Sequence, residues 1–203
     1  MPCATTHADP PAAVTLQEAD VPNPDVQLET DRLILRLPRI EDFERYAELM
    51  ADEAASRHIG GQLPRGAAWR RFLQMPGAWA LQGFAMFSVI DKADGRWLGQ
   101  MGPWQPDGWP GTEIGYAFHP DACGKGYAVE SAVAAIDWSF ATLGWEEIVH
   151  CIAPANLASQ NVARRLGSVR RGPVRLPPPA HEAAVELWGQ TRTQWQAGRA
   201  ARG

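Results

Sequence analysis

Residues 113–136, EIGYAFHPDACGKGYAVESAVAAI, constrain the fold more than any other stretch of the chain. A short strand, Thr112 to Phe118, leads into a loop holding Gly124 and Gly126, and a helix follows at once, from about Ala128 to Leu143. In that helix Val129, Val133, Ile136 and Phe140 recur at helical spacing, which predicts one buried stripe. The two glycines allow a tight turn and keep side chains out of a ligand's way. A helix starting there aims its first N–H groups and the positive end of its dipole at whatever sits in the loop. In physical terms this is a phosphate cradle, with Lys125 a cation at its edge. Gly-Lys-Gly alone is weak evidence, since a plain turn capping a strand accounts for it equally well. Two standard phosphate motifs are absent. The nucleotide P-loop needs Gly at His119 or Pro120 and Ser or Thr at Gly126, and the dinucleotide fingerprint needs Gly or Ala at Val129.

The rest of the chain alternates between two periods. Residues 1–26, rich in Pro, Ala and Asp, read as a mobile leader, and a single domain is expected over 27–203. The run from Leu28 to Leu37 alternates Leu33, Leu35 and Leu37 with polar neighbours and predicts a strand. IEDFERYAELMADE carries Ile40, Phe43, Ala47 and Met50 at helical spacing, and a second helical region covers Ala67 to Leu81, interrupted at Pro76-Gly77. Strands at 84–90 and 96–102 flank Asp94-Gly95, a hairpin signal. The Pro-, Gly- and Trp-rich stretch 103–111 reads as an irregular loop. A strand from Glu147 to Ile152, a helix from Asn156 to Leu166, a Pro-rich link at 176–180 and a final strand from Val185 to Trp195 complete the order β-α-α-β-β-β-α-β-α-β. That order describes an α/β (α+β) protein with a mixed sheet and helices packed on it.

Composition narrows the function classes. Nineteen Lys plus Arg against 23 Asp plus Glu give a net charge of −4, which argues against a nucleic-acid binder. No apolar run approaches the ~20 residues of a membrane span, and the N-terminus lacks the pattern of a secretory signal. Cys3, Cys123 and Cys151 form no close pair, so reduced thiols and a cytoplasmic setting fit. His7, His58, His150 and His181 show no metal spacing, and no metal is expected.

Three separated segments, and a fourth at the end, carry a family resemblance over about residues 28–195. GTEIGYAFHPDACGKGYAVESA resembles the acetyl-coenzyme A site of the GNAT superfamily, in the branch of ribosomal-protein N-terminal acetyltransferases of the RimJ/RimL type. LETDRLILRLPRIEDFERYAEL resembles that branch's opening strand and helix. NLASQNVARRLGSV resembles its Asn-x-x-Ser-x-x-Val…Leu-Gly segment, which precedes a strand, and ELWGQTRTQW its closing strand. Cys123 stands where Gln or Arg is common, and Ser168 where Phe is usual. No Tyr follows Tyr127, although many members use a later Tyr to protonate the departing thiolate.

The resemblance implies a mixed, mostly antiparallel sheet, flanked by helices and splayed at the cofactor cleft. It implies direct acetyl transfer from acetyl-CoA to a primary amine in a ternary complex, with no metal. The acceptor would be a protein N-terminus or a small amine. The cofactor-binding positions would be Tyr116, Ala117 and Phe118 on the strand, Cys123, Gly124, Lys125, Gly126, Tyr127 and Ala128 in the loop, and Asn156 and Ser159 on the later helix. A lysine-like amine is about 0.1% or less free base at pH 7, so a general base matters. Glu113 is the first candidate, His119 the second, and Ser159 the candidate proton donor on the thiol side. Asn156 equally suits a helix N-cap. Arg164, Arg165, Arg170, Arg171 and Arg175 form a basic patch, either a solvated face or a contact for the cofactor's 3′-phosphate. Trp104 and Trp109 suit a wall of the acceptor pocket or a core role. A non-catalytic acyl-CoA binder of the same fold, and a member that has lost the cofactor, are the rival readings. An exposed β-edge or the Trp-rich loop leaves a homodimer open.

Overall fold

The computed structural model describes residues 26–201, so the expected leader lies outside the described residues save for Val26. The strand expected over 28–37 is in fact an antiparallel hairpin of β1 (Gln27–Glu29) and β2 (Leu33–Arg36). Thr30 makes the turn: its N–H donates to Leu33 O, and its Oγ1 accepts from Leu33 N–H, both at 3.0 Å. Short hydroxyl side chains favour turns by bonding their own backbone in this way. Within β2 the alternation holds, with Leu33 and Leu35 buried.

After a single 3-10 turn at Ile40–Asp42 come α1 (Phe43–Ala51), α2 (Glu53–Ser56), α3 (Arg65–Phe72) and α4 (Gln74–Gln82). The break between α3 and α4 falls at Leu73 rather than at Pro76-Gly77. Pro76 sits in the first turn of α4, where its missing N–H would have had no helical partner. Strands β3 (Phe87–Asp91) and β4 (Trp97–Trp104) flank the expected Asp94-Gly95 turn. β4 runs further than expected, and Pro103 and Trp104 pair with Ile114 and Glu113 of β5 (Glu113–Phe118). Alternation turns the nitrogen of Pro103 away from β5 and past the end of β3, where no ladder bond is lost.

The chain continues through α5 (Tyr127–Thr142), β6 (Glu147–Ile152), α6 (Leu157–Leu166), β7 (Val169–Val174), β8 (Val185–Thr191) and α7 (Arg192–Ala200). β7 was absent from the order drawn from periodicity, and the expected strand over 185–195 stops at Thr191. There Thr191 and Gln194 form a reciprocal capping box, with bonds of 2.9 and 3.2 Å, that starts a helix instead. The eight strands form one sheet in the order β1-β2-β3-β4-β5-β6-β8-β7, antiparallel except between β5 and β6.

Helices cover both faces. On one, α5 packs over Leu98, Met101, Ile114 and Ile148, with Trp79 of α4 and Trp195 of α7 alongside. On the other, α1 and α3 build a cluster of Phe43, Tyr46, Leu49 and Phe72 over Trp97 and Ala117. The buried side of α5 comprises Ser131, Ala132, Ala135, Ile136, Ser139 and Phe140, while Val129 and Val133 are only half-buried. The stripe is rotated because small residues let the helix lie close to the sheet. Arg36, buried Asp42, Ser88 and Trp97 link α1 to the sheet: Arg36 pairs with Asp42 at 2.7 Å, and Ser88 Oγ donates to Asp42 at 2.6 Å. Among the described residues, no helix is long and apolar enough to cross a membrane.

Candidate active site

β5 and β6 are paired at one register only, Glu113 opposite Val149, with Val149 N–H donating to Thr112 O at 3.0 Å. In an unbroken parallel ladder the next bond would run from Cys151 N–H to Ile114 C=O. Two side chains interrupt it. Cys151 N–H donates to Glu113 Oε1 at 3.1 Å, and Ile114 O is 2.8 Å from His150 Nδ1. The carbonyl can only accept, so Nδ1 carries the ring proton. Burial pushes the His150 pKa down to about 4, and its Nε2 is buried with no hydrogen-bond partner. Glu113 and His150 lie on opposite faces of the sheet, so the fork is held from both sides. Beyond it, alternation places the N–H and C=O of Tyr116 and Phe118 on the edge of β5 that β6 has left, while Ala117 bonds to β4.

Glu113 is the buried carboxylate of the fork, 7% exposed. Trp109 Nε1 donates to its Oε2 at 2.5 Å. Burial raises its pKa from the ordinary 4.5 to about 7, against the opposing pull of Cys151 N–H, Trp109 and the Cys151 thiol. A carboxylate poised near neutrality suits proton transfer. The Tyr116 side chain reaches across the cleft: its hydroxyl donates to Ser159 O at 3.0 Å, and its ring meets His150 edge-on. Asn156 Oδ1 accepts from Ser159 N–H at 3.1 Å, which makes Asn156 the N-cap of α6. Asn156, Ser159 and Tyr116 therefore converge at one end of the cleft.

The loop before α5 has the expected form. Gly124 and Gly126 adopt φ of +77° and +83°, in the left-handed region, and Gly126 caps α5. The N–H groups of Tyr127 and Ala128 precede the first intrahelical bond, and residues 123–126 are exposed. One expectation is narrowed: Cys123 N–H donates to Pro120 O at 3.2 Å, so of the expected loop positions 123–128 its N–H is already engaged within the loop. The Cys123 thiol is not activated by the helix end; burial and Asp121 push its pKa up. Arg32 grips the loop, donating to Lys125 O at 3.1 Å and to Glu130 at 2.7 Å, with its guanidinium 4.6 Å from the centre of the Tyr127 ring. Thr30 Oγ1 also donates to Glu130. Nothing in the sequence marked Arg32, because its partner lies 98 residues away.

His119 takes a different place. Its ring sits between Glu48, at 3.3 Å, and Asp121, at 2.9 Å, and it caps the short 3-10 turn Pro120–Ala122. Arg45 completes that cluster through Asp121 at 2.8 Å. The basic patch is largely paired: Arg170 with Glu186, Arg171 with Glu147, and Arg164 with Gln160 and Asn161 over Trp188. Among the described residues, no cluster of three or more His, Cys, Asp or Glu could hold a metal ion.

The model of the GNAT acetyltransferase domain family, Acetyltransf_3, matches residues 32–169, from the cradle-gripping Arg32 past the α6 cap. The chain belongs to the GNAT acetyltransferase family. This acetyltransferase is 37% identical over 87 residues to YkkB of Bacillus subtilis, a match spanning 42% of this chain and 51% of that protein, so about half of that relative. It is 24% identical over 147 residues to the N-acetyltransferase YnaD of the same organism, covering 72% and 85% of the two chains. The crystal structure of an acetyltransferase from Agrobacterium tumefaciens superposes with a TM-score of 0.72 at 29% identity, over 82% of this chain and 95% of that one. An aminoglycoside acetyltransferase in complex with coenzyme A shares the fold at 19% identity and a TM-score of 0.67, over 82% and 99%.

Proposed function

We propose that this GNAT protein transfers an acetyl group from acetyl-CoA directly to a primary amine, with Glu113 as general base. The observation that carries the reading is the buried carboxyl at the mouth of the fork, its pKa raised to about 7 beside an unpaired strand edge. The residues present fit the cofactor. Gly124 to Ala128 offer backbone N–H groups to a pyrophosphate with Lys125 beside them, and the open edge at Tyr116 and Phe118 offers backbone groups to an amide-bearing arm. When bound, acetyl-CoA supplies the thioester carbon that the amine attacks.

The chain's own residues supply the rest. Glu113 Oε1 stays on Cys151 N–H, and Oε2 takes the amine's proton, directly or through a water. An edge N–H of Tyr116 or Phe118 stabilises negative charge on an acyl oxygen. At the other end of the cleft, Ser159 lies at the cap of α6 and the Tyr116 hydroxyl reaches the same turn, so two hydroxyls serve where the usual later Tyr is missing. His119, held between two carboxylates, serves the loop's structure. The acceptor is a protein N-terminus or a small amine.

Calorimetry with acetyl-CoA, followed by turnover over a panel of N-terminal peptides and small amines, tests this reading. Micromolar binding with turnover lost in Glu113→Gln supports it. Binding without turnover on any amine supports the non-catalytic acyl-CoA binder, and no binding by folded protein refutes both.

A further inference from the structure

The two oxygens of Glu113 have unequal partners. Oε1 is tied to the backbone of β6, and releasing it would leave Cys151 N–H without an acceptor at the fork. Oε2 is tied only to a side chain, Trp109, carried on the 105–111 loop. Oε2 is therefore the oxygen available for proton transfer, and the indole N–H is the group that aims it. The loop is itself ordered: Trp109 N–H donates to Pro106 O at 3.0 Å, Gly108 turns at φ +71°, and Pro177 lies 3.5 Å from where its Cβ would be. The indole is thus delivered from a fixed turn.

Resting on the proposed role of Glu113, we propose that Trp109 is its positioning residue: the indole N–H orients Oε2 and favours the ionised carboxylate that accepts the acceptor amine's proton. The groups facing the carboxyl are few. From β6 they are the Cys151 N–H and thiol and from the loop Trp109, while Tyr116 and neutral His150 lie together on the opposite face of the sheet. No cation is among them, so the ionised form depends on hydrogen-bond donors. Of these, Trp109 is the side-chain donor that can be deleted without touching the sheet.

Trp109→Phe keeps the ring and removes the N–H. In the ligand-free protein, 13C NMR of the Glu113 carboxyl should show its pKa rising by about 1 to 2 pH units, the effect of losing one hydrogen bond to a charged oxygen. In turnover, the acidic limb of kcat/KM should move up by the same amount. The rate at pH 7 should fall by about five- to fiftyfold and largely recover by about pH 9 to 10, with KM little changed; a merely structural role would lower the rate at every pH. In the wild type, the Trp109 indole N–H resonance should shift with pH along the Glu113 titration, and that shift should vanish in Glu113→Gln, whether or not the Phe variant folds. An unmoved Glu113 titration in Trp109→Phe, or an indole resonance blind to Glu113, overturns the proposal. Failure of the base role itself would show separately, as full turnover by Glu113→Gln.

Discussion

Glu113 and His150 give the protein two opposed pH dependences at one point of the sheet, and Glu113→Gln isolates one of them. Burial raises the Glu113 pKa from 4.5 to about 7. The native state then holds a proton that the unfolded chain gives up, so this stabilisation is complete below pH 4.5 and is lost as pH rises through 7. At about 1.4 kcal/mol per tenfold change in ionisation, the loss is about 3 kcal/mol. His150 works the other way. Its pKa falls from 6.5 to about 4, so its contribution is complete above pH 6.5 and is lost, by a similar amount, as pH falls through 4. In the wild type the two slopes largely cancel between pH 4.5 and 6.5. Urea unfolding of wild type and Glu113→Gln at half-unit steps from pH 4 to 8 separates them. Relative to wild type, the variant should gain about 3 kcal/mol between pH 4 and pH 8, because it has no buried carboxyl to ionise. Lost or altered contacts to Trp109 and Cys151 add a pH-independent offset that leaves the slope unchanged. A difference that stays flat with pH would refute a raised Glu113 pKa, and with it the electrostatic part of the argument for the base.

Three further outcomes follow from the same geometry. His150→Leu leaves Ile114 C=O buried without a donor and should cost about 1–3 kcal/mol at pH 7 by urea unfolding, while removing the acid-side loss of stability. Gly126→Ala places a Cβ at φ +83°, 3.5 Å from Arg32, and should cost about 1–2 kcal/mol in thermal stability and weaken acetyl-CoA binding by calorimetry. Asp42→Ala leaves the largely buried Arg36 guanidinium without its partner and Ser88 without its acceptor. It should destabilise by about 3–5 kcal/mol in denaturant titration, and a loss under 1 kcal/mol would show that the pair is not what fastens α1 to the sheet.

What the sequence revealed depended on how local the cause was. Alternation placed Leu33 and Leu35 in the core, Asp94-Gly95 turned the hairpin, Asn156 capped α6, and β6 lies where it was expected, because neighbours in the chain decide each of these. β7 escaped notice because an edge strand of sequence VRRGPV, mostly exposed and interrupted by Gly172 and Pro173, has no buried face to show. α7 carried a legible Thr-x-x-Gln box that the apolar run before it obscured. At the site, Glu113 and the Gly-Lys-Gly loop were legible as motif. Their partners Cys151, His150 and Arg32 were not, since the sheet pairing and the α5 contact bring them together, while Trp109, four residues before Glu113, was legible only as a candidate pocket wall. His119, the second candidate base, is occupied by Asp121 of its own turn and by Glu48, which the docking of α1 brings to it.

The grip of Arg32 and Thr30 on Glu130 joins residues 98 and 100 positions apart. Closing contacts so distant along the chain costs the loop entropy of the intervening segment. Lys125 O and the Tyr127 ring meet their clamp only when the first hairpin is docked. The shape of the proposed anion cradle thus depends on the docking of a hairpin nearly a hundred residues before it, and damage to that hairpin would be felt at the Gly124–Gly126 turn.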